Sequence, residues 1–177
     1  MLSAEVFDAD ETARRLVEKD SQVQQRIREQ FGDEVFAQTG DIDRAKLRAI
    51  VFANETRRRE LEAILHPVIR ETWLPQAEKF RREKKWLLVD IPLLFETDAG
   101  QYFDTLVVIA CSHDTQLRRL CTLRNLDEQM AGKIIAAQMP LHVKISRADH
   151  VIWNDGAMTA LERQTTLFSE YLTKRYG

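Results

Sequence analysis

The chain has 177 residues and a formal net charge of −2, and 31% of its residues are charged. A chain of this length fits one domain with a sizeable core, and the lack of a basic excess argues against sequence-independent nucleic-acid binding. No apolar stretch approaches the length of a membrane span, and Cys111 and Cys121 form neither a metal motif nor a disulfide framework, so we expect reduced core cysteines in a cytoplasmic protein.

The first predicted element is a very short strand over residues 4–7, and a helix with apolar residues at helical spacing follows over 11–19. Asp10 is the predicted N-cap of this helix. Ser21 is the predicted N-cap of a second helix that ends at Gly32.

A long run of helix is predicted next. Asp43 and Asn54 each precede an apolar helical pattern, and Pro67 and Pro75 are expected to kink or divide the second of these helices. The run is too long for a single crossover between parallel strands. We therefore predict a helical lobe over residues 21–83.

Residues 86–91 form a short apolar block, Trp-Leu-Leu-Val-Asp-Ile, instead of an alternating pattern. A continuous block is typical of a strand buried on both faces, as in a parallel sheet covered by helices. Asp90 lies near its carboxyl end, and Pro92 is expected to end the strand. Because ligands of open α/β sheets lie outside the carboxyl ends of the strands, the segment 90–96 is the first candidate for chemistry.

The second half alternates strands and helices. Strands are predicted over 105–110 and around His150–Trp153, and helices after Ser112 or Asp114, over 127–137 and over 157–174. The alternation predicts an α/β fold, with a parallel sheet and flanking helices.

Several short motifs occur in one order along the chain. They are Asp8-Ala-Asp10 with Ala13-Arg14, Phe31-Gly32, Ile42-Asp43-Arg44 with Leu47, Leu65-His66-Pro67, Ile91-Pro-Leu-Leu-Phe-Glu96, Gln116 with Arg119, Gln138-Met139 with Lys144, and Ala148-Asp-His-Val-Ile-Trp-Asn154. Together they closely resemble dephospho-coenzyme A kinase over nearly the whole chain.

The resemblance implies a P-loop kinase-like fold, similar to nucleoside monophosphate kinases. It implies a single kinase-like domain over residues 1–177, with the helical lobe 21–83 holding the coenzyme A-like substrate and residues 113–147 forming a lid. The implied reaction transfers the γ-phosphoryl group of ATP, with Mg²⁺, to the 3′-hydroxyl of dephospho-CoA, the last step of coenzyme A biosynthesis. The implied partners are these two small molecules, with no nucleic acid and no membrane.

The sequence departs from the family pattern in one respect. The family begins with a strand, a phosphate-binding loop G-x-x-x-x-G-K-[ST] and a helix, whereas the only Gly-Lys pair here, Gly132-Lys133, is preceded by Asp127 at the first glycine position and followed by Ile134. We expect little or no kinase activity from the chain as given.

Two explanations of this departure remain open. Either the natural chain starts upstream of Met1, which we favour because the missing strand is central in the family's sheet, or this is a natural relative without the loop. Two alternatives to a dephospho-CoA kinase remain open. One is a non-catalytic relative that binds a coenzyme A-like ligand, and the other is a nucleotide-kinase-like enzyme that acts on another substrate.

The resemblance assigns roles to individual residues. Asp10 is the implied base for the ribose hydroxyl, with Asp8 as its neighbour and Arg119 closing on the phosphoryl group. The implied substrate-side residues are Arg14, His66, Pro92 and Leu93, and the implied ATP-side residues are Arg124, Lys144, Asn154 and Gly156. No protein metal ligands are implied.

Each role has a plainer alternative. Asp10 could be only a helix cap, and Arg14 only its surface partner one turn away. His66 could be a structural hydrogen-bonding residue, and the two lid arginines could lie on a solvated helix face.

Overall fold

The computed structural model describes residues 3–177, which divide into two compact units, residues 3–92 and residues 93–177. The start of the predicted domain at Met1 lies outside the described residues, and the single-domain boundaries stay a prediction. Within residues 3–177, no helix combines the length and the apolar character that crossing a membrane requires.

The first unit contains two strands, and four helices lie between them in the sequence. In chain order these are β1 (Ala4–Asp8), α1 (Ala9–Lys19), α2 (Ser21–Phe31), α3 (Arg44–Ala53), α4 (Glu55–Arg82) and β2 (Trp86–Asp90), with a 3₁₀ turn at Asp33–Val35. Helices α2 to α4 lie within the region predicted as a helical lobe.

The first two helices begin one or two residues earlier than the sequence predicts. The Asp8 carboxylate accepts the backbone N–H of Glu11, so Asp8 and not Asp10 is the N-cap of α1. Likewise Asp20, not Ser21, caps α2 by accepting the N–H groups of Gln22 and Val23. In both cases an aspartate just upstream takes the cap position, which a carboxylate fills well because it neutralises the unpaired N–H groups of the first turn.

Helix α4 is continuous through Pro67 and Pro75, so these prolines do not divide it, and the alternative that they kink it stays a prediction. Its start is as predicted, because the Asn54 side chain accepts the N–H of Thr56 and of Arg57. The packing of its apolar face outweighs the lost backbone hydrogen bonds.

The core of the first unit lies where α2 packs on α4. Ile27 is fully buried, and Val23 and Trp73 are almost fully buried. Phe31 and Ile69 complete this core at the helical spacing that the sequence shows. The helices therefore carry the stability of this unit.

Strands β1 and β2 pair in parallel, with Ala4 opposite Trp86 and Asp8 opposite Asp90. Val6 and Leu88, which are register partners, are 65% and 52% exposed. The prediction that the 86–91 strand is buried on both faces is therefore wrong in this structure, since one face of this two-stranded sheet is uncovered.

The second unit also contains two parallel strands. Its elements are a 3₁₀ turn (Ala99–Tyr102), β3 (Val107–Ala110), α5 (His113–Arg124), α6 (Glu128–Ala136), α7 (Leu141–Arg147), β4 (His150–Trp153) and α8 (Met158–Tyr176). Strand β3 pairs with β4, with Val107 opposite His150. The described strands thus form two two-stranded parallel sheets, and the predicted α/β class is confirmed.

Two features of the second unit differ from the sequence predictions. The short helix α7 is missing from them, because its N-cap is Pro140 and no side chain caps it. Cys111 and Cys121 are free thiols, as predicted, but both are half-buried and not core residues.

Candidate functional site

Two carboxylates meet at the carboxyl end of the β1–β2 sheet. Asp8 and Asp90 are register partners at the last position of each strand, and Asp8 Oδ1 accepts the Glu11 N–H at 2.8 Å. Desolvation of its carboxyl, and then the negative charge of Asp8, raise the pKa of Asp90 above its ordinary value. The sheet therefore ends in a concentrated negative charge.

Asp10 and Arg14 lie just beyond this strand end, on the first two turns of α1. Both are exposed, while Ala9, Thr12 and Val17 are buried on the other side of the helix. Since Asp8 is the N-cap, the alternative role of Asp10 as cap is excluded. The structure thus places Asp8, Asp10 and Arg14 within one strand–helix junction, and the roles that the resemblance implies for them stay predictions.

His66 lies in the middle of α4 and is half-buried. Burial is the main cause of its lowered pKa; Arg70 lowers the pKa further and Glu62 opposes the shift. The imidazole is therefore neutral at pH 7, with one nitrogen that accepts and one that donates hydrogen bonds. A neutral imidazole suits contact with a hydroxyl or an amide of a substrate.

Pro92 and Leu93 begin the run of turns that follows β2. Pro92 is exposed, and the Leu93 carbonyl accepts the backbone N–H of Thr97 at 3.1 Å and its hydroxyl at 2.8 Å. This turn also carries Glu96, whose contacts are described below. The substrate role implied for Pro92 and Leu93 stays a prediction.

A second polar group lies at the carboxyl ends of β3 and β4. Arg119, from α5, donates a 2.7 Å hydrogen bond to the Asn154 carbonyl, and its Nη2 lies 3.4 Å from Asn154 Oδ1. Arg119 is half-buried, so it does not lie on a fully solvated face of α5. Arg124 is exposed in the last turn of α5, where its charge is favourable at the helix C-terminus.

The loop after β4 is hydrogen-bonded to Ser112, the N-cap of α5. The Asp155 carboxylate accepts the Ser112 N–H at 2.8 Å and the Ser112 hydroxyl at 3.0 Å. A hydrogen bond from Thr115, then these bonds and the charge of Arg119, lower the pKa of Asp155. Asn154 and Gly156 therefore flank a residue that is held in place, while Gly156 itself is exposed.

Lys144, on α7, takes part in a third polar group that the sequence does not reveal. Its Nζ lies 3.1 Å from Glu96 Oε1 and donates to Gln138 Oε1 at 2.9 Å. The same Glu96 oxygen accepts the Met139 N–H at 2.7 Å. All four residues belong to the motifs quoted above, but motif order carries no information about which side chains pair.

No group of three or more His, Cys, Asp or Glu side chains within residues 3–177 is arranged to hold a metal ion. Mg²⁺ in phosphoryl-transfer sites is usually held by one or two carboxylates and by the phosphates of the nucleotide. Asp8 and Asp10 supply carboxylates of that kind, so the residues present fit an ion that arrives with ATP.

Comparisons with known proteins show what the chain is similar to. The family model described as dephospho-CoA kinase matches residues 1–160. A dephospho-CoA kinase of Bacillus anthracis is 42% identical over 164 residues, which are 92% of this chain and 82% of the relative. A dephospho-CoA kinase domain-containing protein of Danio rerio is 39% identical over 165 residues, 92% of this chain and 72% of that protein.

Solved structures show the same similarity. TT1252 from Thermus thermophilus has a TM-score of 0.76 and 28% identity, covering 99% of this chain and 86% of that one. The dephospho-CoA kinase from Campylobacter jejuni has a TM-score of 0.68 and 25% identity, covering 97% of this chain and 86% of that one.

Proposed function

Since the chain belongs to the dephospho-CoA kinase family, we propose that its residues serve the ATP-dependent phosphorylation of the 3′-hydroxyl of dephospho-CoA, the last step of coenzyme A biosynthesis. The free thiols of Cys111 and Cys121 are in keeping with a reducing, cytoplasmic setting.

The junction of β1 with α1 is the observation that carries this proposal. Phosphoryl transfer needs a group that accepts the proton of the attacking hydroxyl and cations that hold the reactants in line. Asp8 is engaged as the N-cap, and Asp10 lies in the adjoining first turn with Arg14 one turn further. In this proposal Asp10 accepts the ribose hydroxyl proton, and Arg14 binds an oxygen of the acceptor.

The remaining site residues divide between the two reactants. His66, Pro92 and Leu93 contact dephospho-CoA in this proposal, and His66 does so as a neutral imidazole. Arg119, Arg124 and Lys144 offer cationic groups toward the phosphates of ATP, and Asn154 with Gly156 offers polar backbone for its base. The ATP-side role of Arg119 is supported by its hydrogen bond to Asn154. In this proposal the bond joins the residue that faces the phosphates to the residue that faces the base.

Mg²⁺, when bound with ATP, would neutralise negative charge on the phosphates. Asp8 and Asp10 are the carboxylates of this chain that would order its water ligands. No other described residue is assigned to the ion.

The 177 residues contain no G-x-x-x-x-G-K-[ST] sequence. Backbone donors of that loop stabilise the transferring phosphoryl group, and each such donor is worth about 3 kcal/mol of transition-state stabilisation. We therefore propose that this chain by itself transfers phosphate at a small fraction of an ordinary kinase rate. Chromatographic detection of CoA formed from dephospho-CoA and ATP tests this, and turnover at about 1 s⁻¹ or faster would contradict it.

A non-catalytic binding protein for a coenzyme A-like ligand is the second candidate, because the acceptor-side residues Asp8, Asp10 and Arg14 are all present. Calorimetric titration of the purified chain with dephospho-CoA separates the two. Binding without transfer, even after the chain is extended by the strand, loop and helix of a relative, supports the second candidate. Restored transfer in the extended chain supports the kinase.

A further inference from the structure

One carboxylate oxygen of Glu96 contacts two other residues of the second unit, Met139 and Lys144. Its Oε1 accepts the Met139 backbone N–H at 2.7 Å and lies 3.1 Å from Lys144 Nζ. Lys144 in turn donates to Gln138 Oε1 at 2.9 Å. A carboxylate in the turn after β2 is thus bonded to the connection between α6 and α7 and to α7 itself.

The ion pair in this group is shielded from solvent. The side chains of Lys144 and Glu96 are 11% and 22% exposed, whereas those of the Lys85–Glu83 surface pair are 63% and 36% exposed. Solvent and salt screen an exposed pair strongly and a shielded pair weakly. Desolvation raises the pKa of the Glu96 carboxyl, but hydrogen bonds from the Met139 and Glu96 backbones and from Lys144, together with the charge of Lys144, outweigh it and lower the pKa.

The segment that Glu96 holds leads directly to the nucleotide side. Pro140 is the N-cap of α7, which runs from Leu141 to Arg147, and Asn154 directly follows β4 and accepts a hydrogen bond from Arg119. Before it lies α6, which ends at Ala136 with no hydrogen bond to Glu96 among those described. Ala137 is therefore the boundary between helix α6 and the segment beginning at Gln138 that Glu96 and Lys144 hold.

We infer that Glu96 is a positioning residue that anchors the carboxyl-terminal end of the lid region 113–147: it fixes residues 138–144 and thereby the approach to Asn154, so that lid movement is confined to residues before Gln138. The inference rests on the proposed function and on the lid region 113–147 that the resemblance to the family implies. It adds a second role to the ATP-side role proposed for Lys144, because the Lys144 ammonium also contacts Glu96 and Gln138.

Hydrogen exchange measured by mass spectrometry on the 177-residue chain tests the anchor without any catalysis. Glu96→Gln keeps an acceptor oxygen of similar size but removes the charge, and Lys144→Met removes the cation. In both variants we expect exchange in peptides spanning residues 138–147 to accelerate by about tenfold or more, since bonds to charged groups contribute the most to local stability. Lys144→Arg should restore slow exchange because it restores the charge.

Glu83→Gln is the matched control, since it removes the same charge from an exposed pair and should leave exchange at 138–147 unchanged. Equal acceleration along the whole chain would overturn the inference, because the pair would then support only global stability. Unchanged exchange in both Glu96→Gln and Lys144→Met would overturn it as well. If Glu96→Gln does not fold, the comparison of Lys144→Met with Lys144→Arg decides. Hydrogen exchange does not depend on kinase activity, so its result stands even if the chain shows no phosphate transfer. The anchor role of Glu96 and the proposed function can therefore be rejected separately.

Discussion

Asp8 and Asp10 differ by two positions but have different roles in the structure. Asp8 satisfies an N–H group at the start of α1, so its loss should cost stability, whereas Asp10 lies in the first turn beyond it. This division makes the proposed base testable by a variant that keeps the fold.

In a chain extended by the strand, loop and helix of a relative, we expect Asp10→Asn to lower kcat by about 10²-fold or more, the usual effect of losing a general base. The KM for dephospho-CoA should change much less, because the side chain keeps its size. Arg14→Ala is the companion variant, and it should raise the KM instead, since it removes a charge-assisted contact. Steady-state kinetics distinguish the two, and a near wild-type kcat for Asp10→Asn would remove Asp10 from the mechanism.

The raised pKa of Asp90 has a consequence for stability. The folded protein binds the Asp90 proton more tightly than the unfolded chain does. As the pH rises above the ordinary pKa of 3.8, ionisation of Asp90 therefore lowers the free energy of unfolding. This loss of stability reaches its full size once the pH is above the raised pKa of the folded state. Asp90→Asn should therefore raise the free energy of unfolding at pH 7 by about 0.2–1 kcal/mol, the scale of like charges opposed across strands.

Urea unfolding of this variant and of the parent at pH 7 and near pH 3 checks the prediction. The gain should vanish at the lower pH, where the carboxyl is protonated in both the folded and the unfolded state. A gain that is the same at both pH values would show that side-chain packing, and not the charge beside Asp8, is responsible.

At the scale of elements, α4 is the most unusual helix because two prolines lie inside it. A proline within a helix removes a backbone hydrogen bond and crowds the preceding turn, at a cost of about 3 kcal/mol relative to alanine. Helix α4 tolerates this because Leu65, Ile69 and Trp73 bury its apolar face. The helix is therefore held by packing more than by its backbone.

Pro75→Ala should raise the free energy of unfolding by up to about 3 kcal/mol, as measured by denaturant titration. Pro140→Ala is the control, because Pro140 is the N-cap of α7 and lies outside the helix, where proline carries no such penalty. A loss of stability in Pro75→Ala would mean that the packing of α4 depends on the geometry that the proline imposes.

At the scale of the whole molecule, both sheets present apolar side chains to solvent. Val6 and Leu88 are exposed partners on β1 and β2, and Ile109 is exposed on β3. Exposed apolar surface on strands favours association with other chains. We expect the purified chain to associate in a concentration-dependent manner.

The double variant Val6→Thr/Leu88→Thr should shift sedimentation toward the monomer, because threonine keeps strand propensity while reducing apolar area. Leu123→Thr is the control, since Leu123 is 78% exposed and lies on helix α5, not on a strand. A chain that stays monomeric across the accessible concentration range would contradict the expectation for the parent.

The sequence alone determined the features that depend on nearby residues. The apolar spacing of Val23, Ile27 and Phe31 placed α2, Asp43 and Asn54 marked the starts of α3 and α4, and the motif order identified the family. Side chains within one or two turns interact whatever the rest of the chain does, so their pattern reports local structure directly.

Only the tertiary structure decided which distant groups meet. The pairing of Asp8 with Asp90, of Arg119 with Asn154 and of Glu96 with Lys144 joins residues on different elements. The burial of Leu88 was mispredicted for the same reason, because an apolar run records that a strand prefers burial but not whether another element covers it. Strand register and helix packing set these contacts, and neither leaves a periodic signal in the sequence.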